Sequence, residues 1–504
     1  MSLATIYTRS SSGINAPLVT VEAHLANGLP SLSIVGLPEA AVKESKDRVR
    51  SAIINCQFEF PAKRITINLA PADLPKEGGR FDLPIALSIL AASGQIPNTT
   101  LMNHEFLGEL SLGGELRAIA GTLPAAIACH ADKRILCLPV QNQQEASLIS
   151  DVEILGVHHL LDICAHLRGQ QSIEAFNRAD HIPLSPIVTP DFADVHGQQH
   201  TKRALEIAAV GRHSLLMLGP PGTGKSMLAS RLPGILPTLS EQEAIESASI
   251  YSISQHPINI DHWRVPPYRS PHHTASAVAL VGGGSHPKPG EVSLAHNGVL
   301  FLDELPEFDR KVLEVLREPI ENGKISISRA NHQTEFPARF QLIAAMNPCP
   351  CGYLGDASQR CRCTPVQITR YRNKISGPLL DRIDMHIEVP RISSKLLRTG
   401  IQGGEETSAT VAARVKAAQQ QAIERQGSAN HLLSIPQIKK HCAISDDDHA
   451  LLEHAIEKLG LSHRAYHRIL KVSRTIADMD NQHSIQRHHL TEALSYRRMD
   501  KRIT

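Results

Sequence analysis

The chain has 504 residues, of which 42% are hydrophobic and 20% charged, and its formal net charge is +2. This length exceeds what one hydrophobic core supports, so we expect two or three domains. The small net charge excludes a globally basic nucleic-acid binder, so any DNA-binding site must be local. The sequence has neither a membrane-length apolar run nor a secretory signal at its start, which predicts a soluble cytoplasmic protein with no membrane partner and with reduced thiols.

The sequence pattern divides the chain into four segments. Residues 1–165 alternate short β-like runs with helical segments, and residues 166–190 are polar and contain prolines, as a linker does. Residues 191–390 show the strand and helix alternation of a nucleotide-binding sheet. Residues 391–504 have the apolar spacing of helices, broken by "GIQGG". The predicted fold class is therefore α/β, ending in a helical linker and a helical lid bundle.

The motifs "PKEGGRFDLPIAL" and "GELSLGGELRAIAGTLPAAIA" in the first segment resemble the proteolytic domain of Lon, which has a ribosomal S5 domain 2-like fold. Aligned on these motifs, Arg80 stands near the position of the Lon serine and Ala125 at that of the lysine. A Ser-Lys mechanism needs both groups. The resemblance thus implies a Lon-protease-like domain without its dyad, acting as a scaffold or DNA-binding collar. We expect Lys76, Arg80 and Asp82 to form a salt-bridged turn rather than a remodelled site.

The stretch "GPPGTGKS" fits the P-loop pattern and lies between the apolar run "SLLML" and a helix-like segment, the context that this motif requires. Backbone N–H groups of such a loop cradle phosphates, its lysine reaches the β- and γ-phosphates, and its serine binds Mg²⁺. The alternative is a chance Gly-rich turn. The predicted ATP-binding residues are Gly219, Pro220, Pro221, Gly222, Thr223, Gly224, Lys225 and Ser226.

Two later apolar strands end in polar residues. "GVLFLDELPEF" ends in Asp303, expected to hold Mg²⁺, and in Glu304, expected to polarise the attacking water. "RFQLIAAMN" ends in Asn347, whose neutral amide suits sensing of the γ-phosphate or positioning of water. Two acids at a strand end are usually surface charge, but their distance from a P-loop favours a catalytic interpretation.

Four cysteines follow the second of these strands. Cys349, Cys351, Cys361 and Cys363 form two Cys-x-Cys pairs that could hold one structural Zn²⁺, although paired zinc ligands more often have two to four residues between them. The alternatives are four reduced, unligated thiols or a redox pair. The basic stretch that follows, from Arg360 to Lys374, is either a local DNA-binding or subunit-binding surface or a solvated loop.

Longer motifs carry a more specific resemblance. "GEVSLAHNGVLFLDELPEF", "GKISISRANHQTEFPARFQLIAAMNP" and "GPLLDRIDMHIEVP" resemble the magnesium-chelatase and MCM branch of the AAA+ ATPases. The whole chain, including "SIVGLPEAAVKESKDRVRSAI", resembles the YifB/ComM family of competence-associated, Mg-chelatase-related proteins. The resemblance implies ATP and Mg²⁺ as cofactors, a ring of six copies, Arg382 as an arginine finger given to the neighbouring subunit, and Arg464 as a sensor residue on the lid. For Arg464 the alternative is a helix surface charge, since Arg468 lies one turn away.

The same resemblance implies the substrate. It places Arg329 on a hairpin in a central pore and Lys288 on a second pore element, where both would contact DNA phosphates without reading sequence. The expected function is an ATP-driven DNA helicase that promotes branch migration on single-stranded and branched DNA during recombination of transforming DNA. The alternatives are a chelatase-type ATPase subunit that remodels a protein partner and, disfavoured by Arg80 and Ala125, an ATP-dependent protease.

Overall fold

The computed structural model describes residues 3–178, 190–254, 256, 258–284, 287–329, 332–355, 360–391 and 404–497 of the chain. The chain divides into two compact units, one comprising Met1–Pro186 and Ile245–Trp263 and the other comprising Ile187–Ala244 and Arg264–Thr504. Residues 400–403 of the "GIQGG" break and residues 179–189 of the predicted linker lie outside the described residues. Among the described helices, none combines the length and apolar character of a membrane span.

The first unit is built on a mixed seven-stranded sheet of order β3-β4-β2-β1-β5-β8-β9. In β2, Val19, Val21, Ala23 and Leu25 are buried and alternate with less buried residues, so this strand has one core face. Every residue of the helix Asp82–Ala92 is buried. The strands are β1 (Leu3–Arg9), β2 (Leu18–Ala26), β3 (Ser31–Val35), β4 (Arg64–Ala70), β5 (His104–Phe106), β6 (Glu109–Leu110), β7 (Leu116–Arg117), β8 (Ile135–Pro139) and β9 (Ile154–Val157), and the α-helices are Ala40–Asn55, Asp82–Ala92, Thr122–Ala131, Gln143–Ala146 and Leu160–Leu167.

The segment Ile245–Trp263 groups with the first unit, although the sequence pattern placed it within residues 191–390. Ala248 packs with Leu123 and Leu148 in a small apolar cluster. The backbone N–H of Gly121 donates to the carbonyl oxygen of Ser252 at 3.0 Å. This grouping depends on tertiary packing, which strand and helix patterns do not reveal.

The second unit contains a five-stranded parallel sheet of order β11-β14-β17-β10-β18. Its central strands are buried at every position, because parallel sheets are covered on both faces. The strand order places β17 between β10 and β14. The strands of this unit are β10 (Leu215–Leu218), β11 (Tyr268–Arg269), β12 (Gly282–Gly283), β13 (Lys288–Pro289), β14 (Val299–Leu302), β15 (Lys324–Arg329), β16 (His332–Pro337), β17 (Gln341–Met346) and β18 (Met385–Glu388).

Helices flank this sheet and complete the second unit. The helix Ser408–Gln426 and the helix His463–Met479 both pack on the helix Gln199–Gly211 and share its apolar core. Ser462 caps the helix His463–Met479 by accepting from the backbone N–H of Ala465. The α-helices are Gln199–Gly211, Lys225–Ala229, Ala277–Val281, Glu291–Leu294, Arg310–Val315, Arg317–Asn322, Pro365–Arg372, Gly377–Leu380, Ser408–Gln426, Ile435–His441, Asp446–Leu459, His463–Met479 and Arg487–Ser495, together with Glu241–Ser254, which begins here and ends in the segment grouped with the first unit. The α/β class with C-terminal helices agrees with the prediction.

Candidate ATP site

The end of the parallel sheet at which β10, β14 and β17 finish, here called the carboxyl edge, gathers the predicted ATP-site residues. The P-loop follows β10, Asp303 and Glu304 follow β14, and Asn347 follows β17. Since β17 lies between the other two strands, Asn347 stands between the P-loop and the two acids. Ligands of open α/β sheets bind at this end of the strands.

The P-loop backbone has the turns that its glycines predict. Gly222 and Gly224 have φ of +76° and +82°, in the left-handed region that favours glycine. At Gly219 a Cβ would collide with the carbonyl oxygen of Val389, so this strand end requires glycine for close backbone approach. Thr223 Oγ1 donates to the carbonyl oxygen of Pro220 at 3.0 Å and closes the loop.

Lys225 is buried at the centre of the loop. Its Nζ donates to the carbonyl oxygens of Gly219 and Pro220 at 2.7 and 3.0 Å and to Asn347 Oδ1 at 3.2 Å. Burial lowers the pKa of Lys225, an effect that the carboxylates of Asp303 and Glu304 partly offset. Among the described residues this buried ammonium bonds to neutral oxygens, so an anionic phosphate would give it a directly bonded counter-charge.

Ser226 and Asp303 form the second part of the site. Ser226 Oγ donates to Asp303 Oδ2, and the other carboxylate oxygen of Asp303 accepts from the backbone N–H of Glu304 at 2.9 Å. A hydroxyl and a carboxylate oxygen are hard ligands of the kind that Mg²⁺ prefers. The two side chains therefore fit a P-loop Mg²⁺ site, with Asp303 oriented by the turn that follows it.

Glu304 has a partner that the sequence did not predict. Its backbone lies in the left-handed region, with φ of +52°, and its Oε2 is 3.2 Å from His273 Nδ1. His273 follows the short strand β11, and its ring is tilted by 32° against the ring of His272, with centroids 4.1 Å apart. A two-residue strand gives almost no periodic signal, although the pair "HH" near a strand end was a visible clue.

The predicted arginine finger lies at the opposite end of the sheet, where β10 and β18 begin, here called the amino edge. Arg382 precedes β18 and is 5% exposed, and its guanidinium pairs with Glu321 at 2.7 Å. Arg464 is 58% exposed and lies 3.8 Å from the same carboxylate oxygen. The hydrogen bond from Arg382 lowers the pKa of Glu321. The P-loop lies where β10 ends and the arginines lie where β10 and β18 begin, and a four-residue strand spans about 13 Å. Neither arginine therefore lies beside the P-loop of its own chain.

A second ion pair at the amino edge joins the C-terminal helices to the sheet. Arg468 pairs with Asp384, which also accepts from the backbone N–H of Ser214 at 2.9 Å. Burial would raise the pKa of Asp384, but Arg468 and His213 hold it well below its usual range. Sequence analysis treated Arg468 only as a neighbour of Arg464, because helix spacing does not reveal a partner so distant along the chain.

The four cysteines converge as predicted. The Sγ atoms of Cys349, Cys351 and Cys361 lie 3.4, 3.8 and 3.7 Å apart, and all four Sγ atoms, including that of Cys363, lie within 4.8 Å of one another. Four sulfurs at ~2.3 Å from one Zn²⁺ would be about 3.8 Å apart, whereas a disulfide needs ~2.05 Å. The arrangement fits a metal tetrahedron and contains no disulfide among the described residues.

The predicted DNA-contacting residues lie on two hairpins that touch. Lys288 is exposed on β13, which pairs with β12, and Arg329 ends β15, opposite His332 of β16. A Cβ on Gly282 would lie 3.0 Å from Ile327 Cδ1, so the two hairpins pack closely. The two predicted residues therefore lie on neighbouring hairpins.

The expected salt-bridged turn in the first unit is wrong. Lys76 donates to the carbonyl oxygen of Pro71, and Arg80 donates to that of Ala120. Asp82 instead pairs with Arg48 at 2.7 Å and accepts from Ser45. Burial lowers the pKa of Arg80 to about 10. The loop carbonyls, rather than Asp82, are the nearest acceptors for both cations, which residue spacing alone did not indicate.

A parallel sheet of this strand order with a P-loop, an acidic strand end and an Asn strand end defines an AAA+ ATPase. Comparison with known families agrees with this class. The profile described as "Magnesium chelatase, subunit ChlI" matches residues 191–397, "Subunit ChlI of Mg-chelatase" matches residues 21–142, and "Magnesium chelatase, subunit ChlI C-terminal" matches residues 405–497.

Full-length relatives narrow the assignment. The chain is 54% identical to "Competence protein ComM" of Haemophilus influenzae, across 99% of this chain and 98% of that protein. It is 52% and 51% identical to the YifB proteins of Salmonella typhimurium and Escherichia coli, again across 99% of this chain and 98% of each relative. The chain belongs to the YifB/ComM family of magnesium-chelatase-related AAA+ ATPases, and this membership implies ATP and Mg²⁺ as cofactors.

Proposed function

We propose that the chain is the subunit of a hexameric, ATP-driven DNA helicase that promotes branch migration when transforming DNA recombines. The observation that carries the proposal is the separation of the arginines from the P-loop. Arg382 and Arg464 converge at the amino edge, whereas Lys225 and Glu304 lie at the carboxyl edge. A cation that cannot serve its own nucleotide can serve that of a neighbour, which requires a ring or filament.

Within one subunit, the carboxyl edge would hold the nucleotide. Lys225 would exchange its carbonyl partners for phosphate oxygens, Ser226 and Asp303 would ligate Mg²⁺, and Glu304 would orient the attacking water. Asn347, already bonded to Lys225 at 3.2 Å, would report the γ-phosphate to β17. Each role follows from the side chain's chemistry and its position at the strand ends.

Across the subunit interface, Arg382 would leave Glu321 and bind the γ-phosphate of the neighbour, with Arg464 beside it. A phosphate is a stronger anionic partner than an exposed carboxylate for a guanidinium. Glu321 lies three residues before Lys324, where β15 begins. Release of Arg382 from Glu321 would therefore act directly on the base of the hairpin that carries Arg329, which links hydrolysis to DNA.

The DNA contacts would come from Arg329 and Lys288. The two residues lie on neighbouring hairpins, and phosphate contacts from lysine and arginine are insensitive to sequence and weaken with salt. The name of the Haemophilus relative assigns that protein to competence. We carry that role over to this chain, together with the cytoplasmic location expected from the sequence.

The four cysteines would hold one structural Zn²⁺. Their Sγ spacing supports this part of the proposal, and the loop has few buried side chains that could hold it otherwise. Metal analysis of protein purified without chelator tests it. About one equivalent of zinc per chain is expected, and less than about half an equivalent in folded, nucleotide-binding protein would contradict the site.

A second candidate is a chelatase-type ATPase subunit that remodels a protein partner. It is favoured by the three magnesium-chelatase profiles, which match most of the chain. ATP-dependent proteolysis is disfavoured, because Arg80 and the buried Ala125 supply neither a nucleophile nor its base.

ATP turnover with and without DNA separates these functions. A DNA motor should be stimulated by single-stranded and forked DNA and should extend heteroduplex on a branched substrate, with activity falling as salt rises. In Arg329→Ala, the ratio of turnover with DNA to turnover without DNA should fall by about tenfold. The matched control is Lys324→Ala at the base of the same hairpin, where Lys324 pairs with Glu335. Stimulation by a protein partner alone would favour the chelatase-type function.

A further inference from the structure

The loop that carries the four cysteines is continuous with the ATP site. Cys349 follows Asn347 with only Pro348 between them. The carbonyl oxygen of Pro348 accepts from Arg372 Nε and Nη2, both at 3.3 Å. Cys349, the first candidate metal ligand, is thus connected through Pro348 to Asn347, which bonds Lys225. Arg372 holds the backbone of this connection in place.

The same loop also touches the P-loop directly. A Cβ built on Gly352 would lie 2.7 Å from Pro221 Cδ and 3.8 Å from Asn347 Cγ. Gly352 has φ of +83°, and its N–H donates to the carbonyl oxygen of Cys349 at 2.9 Å. The backbone at Gly352 therefore forms a turn that rests against the P-loop proline, with no room for a side chain.

In the part of the loop that the structure describes, Tyr353 and Leu354 are half-buried, so the turn has little hydrophobic support of its own. Among residues 349–355 and 360–363, Cys349 and Gly352 are the buried positions, and neither has a large apolar side chain. A segment without a core needs a metal or another cross-link to hold one conformation. The convergent thiols are the cross-link that the described part of the loop offers.

We propose that metal bound by the four thiols holds the Gly352 turn against Pro221 and Asn347 and thereby sets the affinity of the P-loop for nucleotide. This inference rests on the zinc site of the proposed function and adds a regulatory role to it. With metal bound, the turn forms one wall of the phosphate-binding loop. Without metal, the wall separates from Pro221, and both the P-loop and the Asn347 side chain lose their support. Metal occupancy then acts as a switch on ATP binding.

The first test removes the metal through the ligands farther from Asn347. In the double variant Cys361→Ser with Cys363→Ser, zinc measured by atomic absorption should be lost, and the Kd of a fluorescent ATP analogue should rise about tenfold, as is typical when the support of a site is removed. Cys56→Ser is the control, because the serine hydroxyl can keep the hydrogen bond that the Cys56 thiol donates to the carbonyl oxygen of Gly113. This control should keep both the zinc and the affinity.

The second test keeps the four thiols and disturbs the contact. Gly352→Ala should retain about one equivalent of zinc but bind the analogue about tenfold more weakly, because its Cβ pushes the turn off Pro221. Gly355→Ala is a matched control in the same loop. Gly355 also has a left-handed backbone, with φ of +78°, but a Cβ there meets no atom within 4 Å. It should therefore keep the affinity of the unmodified chain.

The outcomes separate the proposals. Zinc lost without a change in Kd overturns the coupling and leaves the zinc site standing, and zinc absent from the unmodified chain overturns both. Equal losses of affinity in Gly352→Ala and Gly355→Ala would assign the effect to backbone strain and overturn the coupling. If the double cysteine variant does not fold, the glycine pair decides. These tests measure nucleotide binding. If DNA did not stimulate ATP hydrolysis by the chain, the proposed DNA-motor function would be wrong, but the result of these tests would not change.

Discussion

The two ends of the ATPase sheet differ in how their functional side chains are satisfied. At the carboxyl edge, Lys225 donates to P-loop carbonyl oxygens and Ser226 donates to Asp303, all within one chain. At the amino edge, two arginines converge on the single carboxylate of Glu321. At the carboxyl edge the side chains find their partners within the sequence motifs, whereas at the amino edge two guanidinium groups share one carboxylate. The difference supports the proposal that an anion from a neighbouring subunit completes the amino edge.

The largest effect is expected from a substitution at the amino edge. Arg382→Ala should bind ATP nearly as well as the unmodified chain but hydrolyse it about 1,000-fold more slowly, since arginine fingers contribute that much to phosphoryl transfer. Steady-state turnover and equilibrium nucleotide binding measure the two properties. Mixing with Glu304→Gln should restore turnover at about one quarter of randomly formed interfaces if the two residues act across subunits.

The control for this prediction is Glu321→Gln, which removes the carboxylate but leaves the guanidinium of Arg382. The rate of ATP hydrolysis by Glu321→Gln should not fall by a comparable factor. No recovery in any mixture of the two defective chains would mean that Arg382 acts within its own subunit or only supports the fold.

A second change at the amino edge should affect stability. Arg468→Met leaves the buried carboxylate of Asp384 without its main cation, so the free energy of unfolding should fall by about 3 kcal/mol in urea titrations. The pKa of Asp384 lies well below its ordinary value, so this stabilisation is fully present above pH ~4 and is lost only as the pH falls through the lowered pKa. The difference in the free energy of unfolding between Arg468→Met and the unmodified chain should therefore be the same at pH 6 and at pH 8.

The control stands one turn earlier on the same helix. Arg464→Met removes an exposed arginine that lies 3.8 Å from the carboxylate of Glu321, so its effect on unfolding should be under about 1 kcal/mol. Its effect on hydrolysis should be large if Arg464 meets the neighbour's nucleotide. Equal destabilisation by both changes would contradict the distinction between a residue that docks the helix and one that serves the interface.

The carboxyl edge should respond differently. Glu304→Gln should bind ATP normally and hydrolyse it at least ~100-fold more slowly, a loss typical of removing the group that activates water. The amide keeps the shape of the side chain, so stability in the same urea titrations should not change. Turnover close to that of the unmodified chain would show that another group activates the water.

The two edges also differ in how far sequence predicts them. Lys225 and Ser226 belong to the P-loop motif and Asp303 to a strand-end motif, and parallel strands finish at one edge of the sheet, so their convergence was predictable across 77 positions. The pairs Arg382 with Glu321 and Arg468 with Asp384 join residues 61 and 84 positions apart, and no local pattern encodes them. The same limit explains why the packing of residues 245–263 with the first unit was missed.

The smallest expected effect concerns His273, the partner of Glu304 that sequence patterns did not reveal. Its Nδ1 lies 3.2 Å from Glu304 Oε2, so it can orient the carboxylate, but both side chains are partly exposed and such pairs are weak. His273→Gln should therefore lower kcat by about threefold and leave KM unchanged, because His273 touches Glu304 rather than the P-loop. His272→Gln is the matched control, since His272 bonds Thr274 instead. A rise in KM with unchanged kcat would place His273 in nucleotide binding, and equal effects of the two changes would assign the loss to the loop rather than to the contact with Glu304.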